Sequence, residues 1–209
     1  MASLTTRSEG LRQRKKRETL LRIAETGLNL FVKNGYEGTT LDEIAAAAGI
    51  SRRTFFYYFK SKEGILLAYL DGGFAKSIRP VLLAQPKNQT PYQAAKCSIV
   101  QLMSARGSQD GMAVANLLAS TEALRARIPG AFVDMEKAVY DCLCELWPEP
   151  EARKSHRIAA MASIGAMRLA KEAWWQEEGR KSLGEYLSES FDELENLTQS
   201  NSRLLCSDH

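Results

Sequence analysis

The sequence predicts an all-α fold, in which an N-terminal three-helix domain of the helix-turn-helix type precedes a larger C-terminal helical bundle. Apolar residues recur at spacings of three and four, as on one face of a helix, and no segment alternates like a strand. Capping residues and Gly or Pro stops divide the chain of 209 residues into about nine helices. We expect a basic disordered arm over 1–17, the helix-turn-helix domain over 18–64, the bundle over 65–197 and a flexible tail over 198–209.

The first three predicted helices have clear start and stop signals. One face of the first helix is apolar until Asn34-Gly35, a typical C-terminal stop: Leu20, Ile23, Ala24, Gly27, Leu28 and Phe31. Thr40 and Glu43 form a capping box that opens the second helix, expected over 41–48 and ended by Gly49. Ser51 caps the third helix, which we expect to run through Phe59.

Six further helices follow from the same kinds of signal. Ser61, Asp110 and two capping boxes, Thr90 to Gln93 and Ser182 to Glu185, provide the starts. Prolines provide several of the expected stops, the first of them Pro80. The expected helices are 62–78, 91–107, 110–127, 129–147, 151–178 and 183–197.

The segment from Thr39 to Lys62 indicates DNA binding. Two short helices joined at Gly49, with small alanines between them, form the helix-turn-helix layout, in which the second helix enters the major groove. That helix opens with Arg52 and Arg53, and arginine can pair with the O6 and N7 atoms of guanine. Basic residues are concentrated nearby, since residues 1–64 carry 12 Lys or Arg against 7 Asp or Glu. The candidate DNA contacts are Thr40, Arg52, Arg53, Thr54, Phe56, Tyr57, Tyr58, Lys62, Arg14, Lys15 and Lys16.

An alternative treats the same residues as structural. Phe55 and Phe59 lie four apart and are expected in the core, whereas Phe56 lies on another face, so burial explains it less well. On this alternative, Arg52 and Arg53 are merely solvated.

Residues 18–66 resemble the DNA-binding domain of TetR/AcrR-type repressors. The matching features are Asn34-Gly35-Tyr36, Thr39-Thr40, Ile44-Ala45, Ala48-Gly49-Ile50-Ser51, Thr54-Phe55, Phe59 and Ser61-Lys62-Glu63. The resemblance implies a homodimer that represses transcription and releases a palindromic double-stranded operator when a hydrophobic small molecule binds the C-terminal domain. Two residues depart from the family pattern. Phe56 replaces the usual Tyr and leaves only an apolar contact, and Arg53 replaces a frequent Gly and adds a candidate contact with DNA.

The C-terminal half is similar to regulators of a mainly actinobacterial TetR subgroup that includes mycofactocin-type regulators. The similarity rests on Thr121 to Arg127, Arg168 to Ala170 and Trp174-Trp175. A small-residue stripe and an apolar face on the last two helices predict a dimer interface: Ala159, Ser163, Ala166, Ala170, Leu183, Leu187 and Phe191. Burial of both surfaces within one chain is the alternative.

A ligand pocket among the middle helices is implied mainly by the family resemblance. Its candidate residues are Met103, Met112, Asn116, Leu117, Met135, Tyr140, Met161 and Trp174. Methionine and aromatic residues at helical spacing also fit a plain core, which is the alternative for each of them.

Other classes of function have little support in the sequence. We expect no enzyme and no cofactor, because the chain has neither a Gly-rich phosphate loop nor a nucleophile motif. The cysteines are expected to be buried apolar residues and His156 to lie at the surface, with no metal site. The chain has no signal-like N-terminus and no membrane-spanning apolar run, so we expect a cytoplasmic protein without a membrane partner. The alternatives to a ligand-released repressor are a helical protein-interaction module and an activator-type regulator without a small-molecule inducer.

Overall fold

The fold is all-α, as predicted. The computed structural model describes residues 11–104, 108–120 and 122–204, without the side chains of 71, 108–111 and 198–204. Within these residues the chain forms nine α-helices and one 3-10 turn, Pro150–Ala152, and no strand. The helices are α1 Leu11–Asn34, α2 Leu41–Ala47, α3 Arg52–Tyr58, α4 Lys62–Leu83, α5 Pro91–Ser104, α6 Ser108–Leu118, α7 Glu122–Leu146, α8 Arg153–Gln176 and α9 Leu183–Leu204.

All three predicted capping boxes are present. In the second of them, the backbone amide of Thr90 donates to the Gln93 side chain at 3.1 Å and the Gln93 amide donates to the Thr90 hydroxyl oxygen at 3.2 Å. The third has the same reciprocal pattern between Ser182 and Glu185, with distances of 2.8 and 3.3 Å. Each box satisfies amides that have no partner within the helix, so local sequence is enough to fix these helix starts.

Two predicted proline boundaries are wrong, because Pro80 lies inside α4 and Pro129 lies inside α7. Helix α6 ends at Leu118 and α7 begins at Glu122, and α6 begins before Asp110, which is therefore not its N-cap. Buried Leu124 and Ala131 lie on either side of Pro129. Their packing offsets the loss of one backbone hydrogen bond, which is the main local cost of a proline in a helix.

The chain is helical closer to both ends than we predicted. Helix α1 begins at Leu11, so residues 11–17 belong to a helix and are not a disordered arm. Arg14 and Glu18, four residues apart, form an ion pair at 3.5 Å that supports this first part of the helix. Helix α9 continues to Leu204, so residues 198–204 are helical and not a flexible tail. Residues 1–10 and 205–209, with Arg7, Cys206 and His209, lie outside the described residues.

The chain divides into two compact units after Gly73, within α4, and not after residue 64 as the sequence suggested. The sequence boundary followed the Ser61 cap, but α4 continues past residue 64 without a break. The core of the first unit combines apolar residues of its four helices: Ile23, Ala24, Leu28, Phe31, Ile44, Ala45, Phe55, Ile65 and Leu66. The close approach of α1 and α4 depends on Gly27, because a Cβ there would lie 2.8 Å from Cγ2 of Ile65.

The second unit is a bundle centred on α8. This helix contributes nine buried residues, and it packs against α5, α7 and α9. Trp174 and Phe191 are among the largest fully buried side chains of the protein. None of the helices in the described part of the chain is long and apolar enough to span a membrane.

Candidate DNA-binding surface

The turn between α2 and α3 has the geometry that the sequence predicted. Gly49 has a φ of +65°, a left-handed conformation that glycine adopts without steric cost. The amide of Ile50 donates to the carbonyl of Ala45 at 3.1 Å, which closes the end of α2. The guanidinium of Arg22, on α1, donates to the carbonyl of Ala48 and so ties the turn to the first helix. The turn therefore holds the two short helices at a fixed crossing.

Helix α3 buries one side and exposes the other. Its N-cap Ser51 accepts a hydrogen bond from the amide of Thr54 at 3.1 Å. Phe55 is fully buried and Phe59 is 4% exposed, as we expected from their spacing of four residues. Arg52 and Arg53 are exposed at the start of the helix, where they can reach another molecule.

The guanidinium of Arg52 is held between an acidic and an aromatic partner. It lies 3.2 Å from a carboxylate oxygen of Asp42, on α2, and 5.6 Å from the centre of the Phe56 ring. Both contacts restrict the directions that the guanidinium can take. Phe56 therefore contacts Arg52 within the protein. The replacement of the usual Tyr by Phe56 did not suggest this role. The contact of Phe56 with a thymine methyl stays a prediction.

Basic residues of α1 extend this surface. The ammonium group of Lys16 lies 4.9 Å from the centre of the Tyr57 ring, which joins the first turns of α1 to α3. Tyr57 is 67% exposed, and its ring also packs edge-on against Tyr58 with centres 5.1 Å apart. Arg14 and Lys15 are exposed on the same part of α1. The structure therefore brings together predicted contact residues of α1 and α3 that are far apart in the sequence.

Lys62 has a structural role that we did not predict. Its ammonium group donates to the carbonyls of Tyr36 and Glu37 at 2.7 and 3.2 Å, and it lies 5.0 Å from the centre of the Tyr36 ring. These contacts occupy two of its three donors and tie α4 to the loop after α1. A contact between Lys62 and a phosphate stays a prediction.

Thr40 acts first as a helix cap. Its hydroxyl oxygen accepts from the Glu43 amide at 3.2 Å, and the Glu43 carboxylate accepts from the Thr40 amide at 2.7 Å. The hydrogen bonds from the Thr40 backbone and side chain hold the pKa of Glu43 below its usual value. The cap therefore stays intact at neutral pH, and a contact between Thr40 and a phosphate stays a prediction.

Sequence reasoning assigned no structural role to three residues that shape this surface: Arg22, Thr39 and Asp42. Thr39 is fully buried, and its hydroxyl donates to the carbonyl of Gly35 at 2.8 Å. Arg22 donates to the carbonyl of Ala48 after α2, and Asp42 of α2 forms an ion pair with Arg52 of α3. The only signal for Asp42 was its place in the first turn of α2, and nothing in the sequence pointed to Arg22.

The predicted ligand-pocket residues do not all lie together. Met103, Met112, Met135 and Tyr140 pack against the core of the second unit, together with buried Trp174. Met161 is 49% exposed, and Asn116 is exposed with its side-chain oxygen accepting from Nε1 of Trp175 at 3.0 Å. We therefore remove Met161 and Asn116 from the predicted pocket, because helical spacing did not tell us which side faced the core. Leu117 is half-buried and stays a prediction.

The small-residue stripe predicted for the dimer interface is mostly internal. Ser163, Ala170, Leu187 and Phe191 are fully buried within the chain, and Leu183 is half-buried. Ala159 and Ala166 are 8% and 5% exposed, at the bottom of surface grooves. Intramolecular burial, the alternative, therefore accounts for this stripe because α9 packs on it.

Parts of α8 and α9 are apolar and exposed, and this face shares only Ala159 and Ala166 with the predicted stripe; we call it the outer face. Its large residues Ile158, Leu169 and Leu197 are 56%, 57% and 62% exposed. Two grooves of about 280 and 510 Å³ follow it. The residues that line the grooves are Tyr92, Ser155, Ile158, Ala159, Ala162, Gly165, Ala166, Leu169, Glu189, Ser190, Glu193, Leu194, Glu195 and Leu197.

His156 and two of the cysteines also differ from the prediction. His156 is 1% exposed, so it is buried and not a surface residue, and this burial lowers its pKa. Cys142 is buried as expected, but Cys97 is exposed and Cys144 is half-buried. Among the described residues, His, Cys, Asp and Glu side chains form no group of three or more that could hold a metal ion.

A family model for bacterial regulatory proteins of the tetR family matches residues 23–69, the segment that holds the turn and the recognition helix. This segment therefore matches the DNA-binding domain of the TetR/AcrR family. Over 90 residues, the chain is 38% identical to the HTH-type transcriptional regulator TcmR of Streptomyces glaucescens. That match covers 43% of the present chain and 39% of TcmR, so it spans well under half of that relative.

Two solved structures extend the likeness to most of the chain. A TetR-family transcriptional regulator from Rhodococcus has a TM-score of 0.58 at 16% identity, over 85% of this chain and 97% of that one. The TetR-family repressor FadR of Thermus thermophilus, solved in complex with lauroyl-CoA, has a TM-score of 0.50 at 25% identity. That likeness covers 85% of this chain and 92% of FadR. The fold of the chain, with the second unit included, is therefore similar to that of these two proteins.

Proposed function

We propose that this TetR-family protein is a sequence-specific DNA-binding transcriptional regulator and that it acts as a repressor. The observation that carries the proposal is the exposed pair Arg52 and Arg53 at the start of α3, in a helix-turn-helix whose caps and turn are complete. Arginine at this end of a recognition helix is suited to bidentate pairing with guanine in the major groove. Exposed Arg14, Lys15 and Lys16 supply positive charge for the phosphates beside it. Such a regulator acts on chromosomal DNA in the cytoplasm and needs no catalytic residues.

We propose that it binds DNA as a homodimer through the outer face of α8 and α9. Large exposed apolar residues on neighbouring helices mark a surface that another protein covers. Ala162 and Gly165 lie between Ile158 and Leu169 on α8, and a Cβ at Gly165 would meet no atom within 4 Å. A helix from a second copy can therefore approach α8 closely. Two copies related by a two-fold axis would then match a palindromic operator.

We also propose a small apolar effector for the second unit. The Nε1 atom of Trp174 is buried and, among the described residues, has no hydrogen-bond partner. Met112 lies beside the same loop, because a Cβ at Gly179 would be 3.1 Å from its methyl carbon and 3.4 Å from Trp174 Nε1. Flexible methionines around one free N–H donor suit an apolar ligand with a single acceptor group. Lauroyl-CoA, the ligand of the FadR structure, is the first compound to test, because its lauroyl chain is apolar and ends in a single thioester carbonyl.

One experiment tests the proposal in two stages. The full chain is used to select duplexes from a random DNA pool, and we expect enrichment of an inverted repeat with half-sites about 10 base pairs or a multiple apart. Lauroyl-CoA is then added to the selected complex, and its dissociation would support an effector of this class. Failure to enrich any duplex would favour the protein-interaction alternative, while enrichment without dissociation by lauroyl-CoA would contradict an effector of this class.

A further inference from the structure

The end of α7 and the start of α8 bring together a thiol, an imidazole and a phenol. The sulfur of Cys144 lies 3.8 Å from Nδ1 of His156, within hydrogen-bond distance for sulfur. Tyr140 lies on α7 one helical turn before Cys144. None of these residues belongs to the proposed DNA-binding surface or to the outer face.

His156 has the properties of a base for this thiol. It is 1% exposed, and burial lowers its pKa. Burial therefore weakens the imidazole as a base but favours the neutral ring, in which one nitrogen can accept the thiol proton. In the described part of the chain its only hydrogen-bond partner is the Cys144 sulfur. The nearest aromatic neighbour is Trp147, with ring centres 6.4 Å apart. A buried imidazole with this single partner is directed at the sulfur.

Tyr140 can stabilise the product of that proton transfer. Its pKa is raised, first by interaction with Cys144 and then by burial, so the phenol keeps its proton and can donate a hydrogen bond to a thiolate one helical turn away. The guanidinium of Arg157 lies 5.7 Å from the centre of the Tyr140 ring and adds positive charge to this region. A thiolate at Cys144 would therefore receive hydrogen bonds from both an imidazolium and a phenol.

We propose that Cys144 is a reactive thiol, with His156 as its base, that adds to activated alkenes such as α,β-unsaturated carbonyl compounds. The thiol proton moves to Nδ1 of His156 while the sulfur electron pair forms a bond to the β-carbon of the alkene. The alkene π electrons move to the carbonyl as an enolate, and the enolate carbon then takes back one proton from the imidazolium. The thiol and the alkene are the only reactants, so no oxidant is needed.

The structure favours addition over disulfide formation. Cys142 is the nearest cysteine in sequence, but residues two apart on a helix project from different faces. Cys142 is also 2% exposed, and burial raises the pKa of its thiol. Cys97, by contrast, is exposed on α5, so it serves as an internal reference for an ordinary surface thiol.

The test is a rate comparison among the cysteines of the intact full chain. The protein is treated briefly at pH 7 with limiting N-ethylmaleimide, and tandem mass spectrometry quantifies each cysteine separately. We expect Cys144 to react at least about tenfold faster than Cys97 despite its lower exposure, a modest part of what a positioned base can supply. A Cys144 rate equal to or below that of Cys97 in the wild-type protein would overturn the proposal.

Two variants separate the base from simple accessibility. His156→Gln should lower the Cys144 rate to that of Cys97 or below, and Tyr140→Phe should lower it less. The rate at Cys97 should stay unchanged in both. Reaction at buried Cys142 would show that a variant is unfolded. In that case, the ratio of the Cys144 rate to the Cys97 rate, measured in the wild-type protein and in Tyr140→Phe, tests the proposal. An unchanged Cys144 rate in folded His156→Gln would also overturn the proposal.

Discussion

The two units of this protein expose opposite kinds of surface. Around α3 the exposed residues are charged or polar, with Arg52, Arg53 and Lys15 facing away from the core. On the outer face of α8 and α9 the most exposed large residues are apolar, among them Ile158 and Leu169. A basic surface suits an anionic partner, whereas an apolar surface is stable only when another apolar surface covers it. The difference indicates two partners of different chemistry, DNA for the first unit and a second copy for the second.

The largest effect is expected from changing the outer face at Gly165. Gly165→Arg places a long charged side chain where a Cβ meets no atom of the same chain, so the fold of the monomer should be unaffected. The same side chain would block a second copy and bury a charge. We expect a monomer in sedimentation equilibrium. Its affinity for the selected inverted repeat should fall by about 10²- to 10⁴-fold, because two linked half-site contacts become independent.

Gly165→Ala is the matched control, since it adds only a methyl group in open space and should leave the dimer and the DNA affinity nearly unchanged. Ala166→Glu would be a weaker test, because Ala166 is 5% exposed and a charge there would also disturb the packing within one chain. A dimer that persists in Gly165→Arg would contradict the assignment of the outer face and leave the DNA-binding unit untouched.

A smaller effect is expected from the basic residues of α1. The double variant Lys15→Gln with Lys16→Gln removes two exposed charges and the contact of Lys16 with the Tyr57 ring. We expect weaker binding to all DNA sequences alike, with the salt slope reduced by about one for each lysine that binds a phosphate in the wild-type complex. Fluorescence anisotropy over a range of salt concentrations measures the slope.

Lys87→Gln with Lys154→Gln, which removes two exposed lysines of the second unit, is the control for the change in net charge. If this control reduces the slope as much as the double variant does, the residues of α1 are not phosphate contacts.

The sequence was most informative where structure is decided by neighbours along the chain. The capping box of Thr40 and Glu43, the Ser51 cap and the left-handed Gly49 are local features, and each appears where it was predicted. The burial of Phe55 and Phe59 followed from their spacing in the same way. Within a short motif these local rules leave few alternatives, which is why the fold of the first unit could be predicted closely.

The sequence was least informative where several helix faces compete for one core. The stripe of Ser163 and Ala170 and the outer face with Ile158 lie on the same helix, and both satisfy the spacing of an interface. Only the packing of α9 decides which of them is internal. Pro129 within α7 and the capture of Lys62 by the carbonyls of Tyr36 and Glu37 are similar cases. Contacts between residues distant in sequence override the local signal there.

The measurement that tests the central claim most directly is the binding of Arg52→Ala and Arg53→Ala to the selected DNA and to single-base variants of it. We expect each change to cost about 1–3 kcal/mol on the selected sequence and to relax the preference at one position of each half-site. Lys60→Ala, an exposed basic residue just after α3, should keep the preference intact. Wild-type affinity and base preference in both arginine variants would show that α3 does not read the DNA, and would contradict the account.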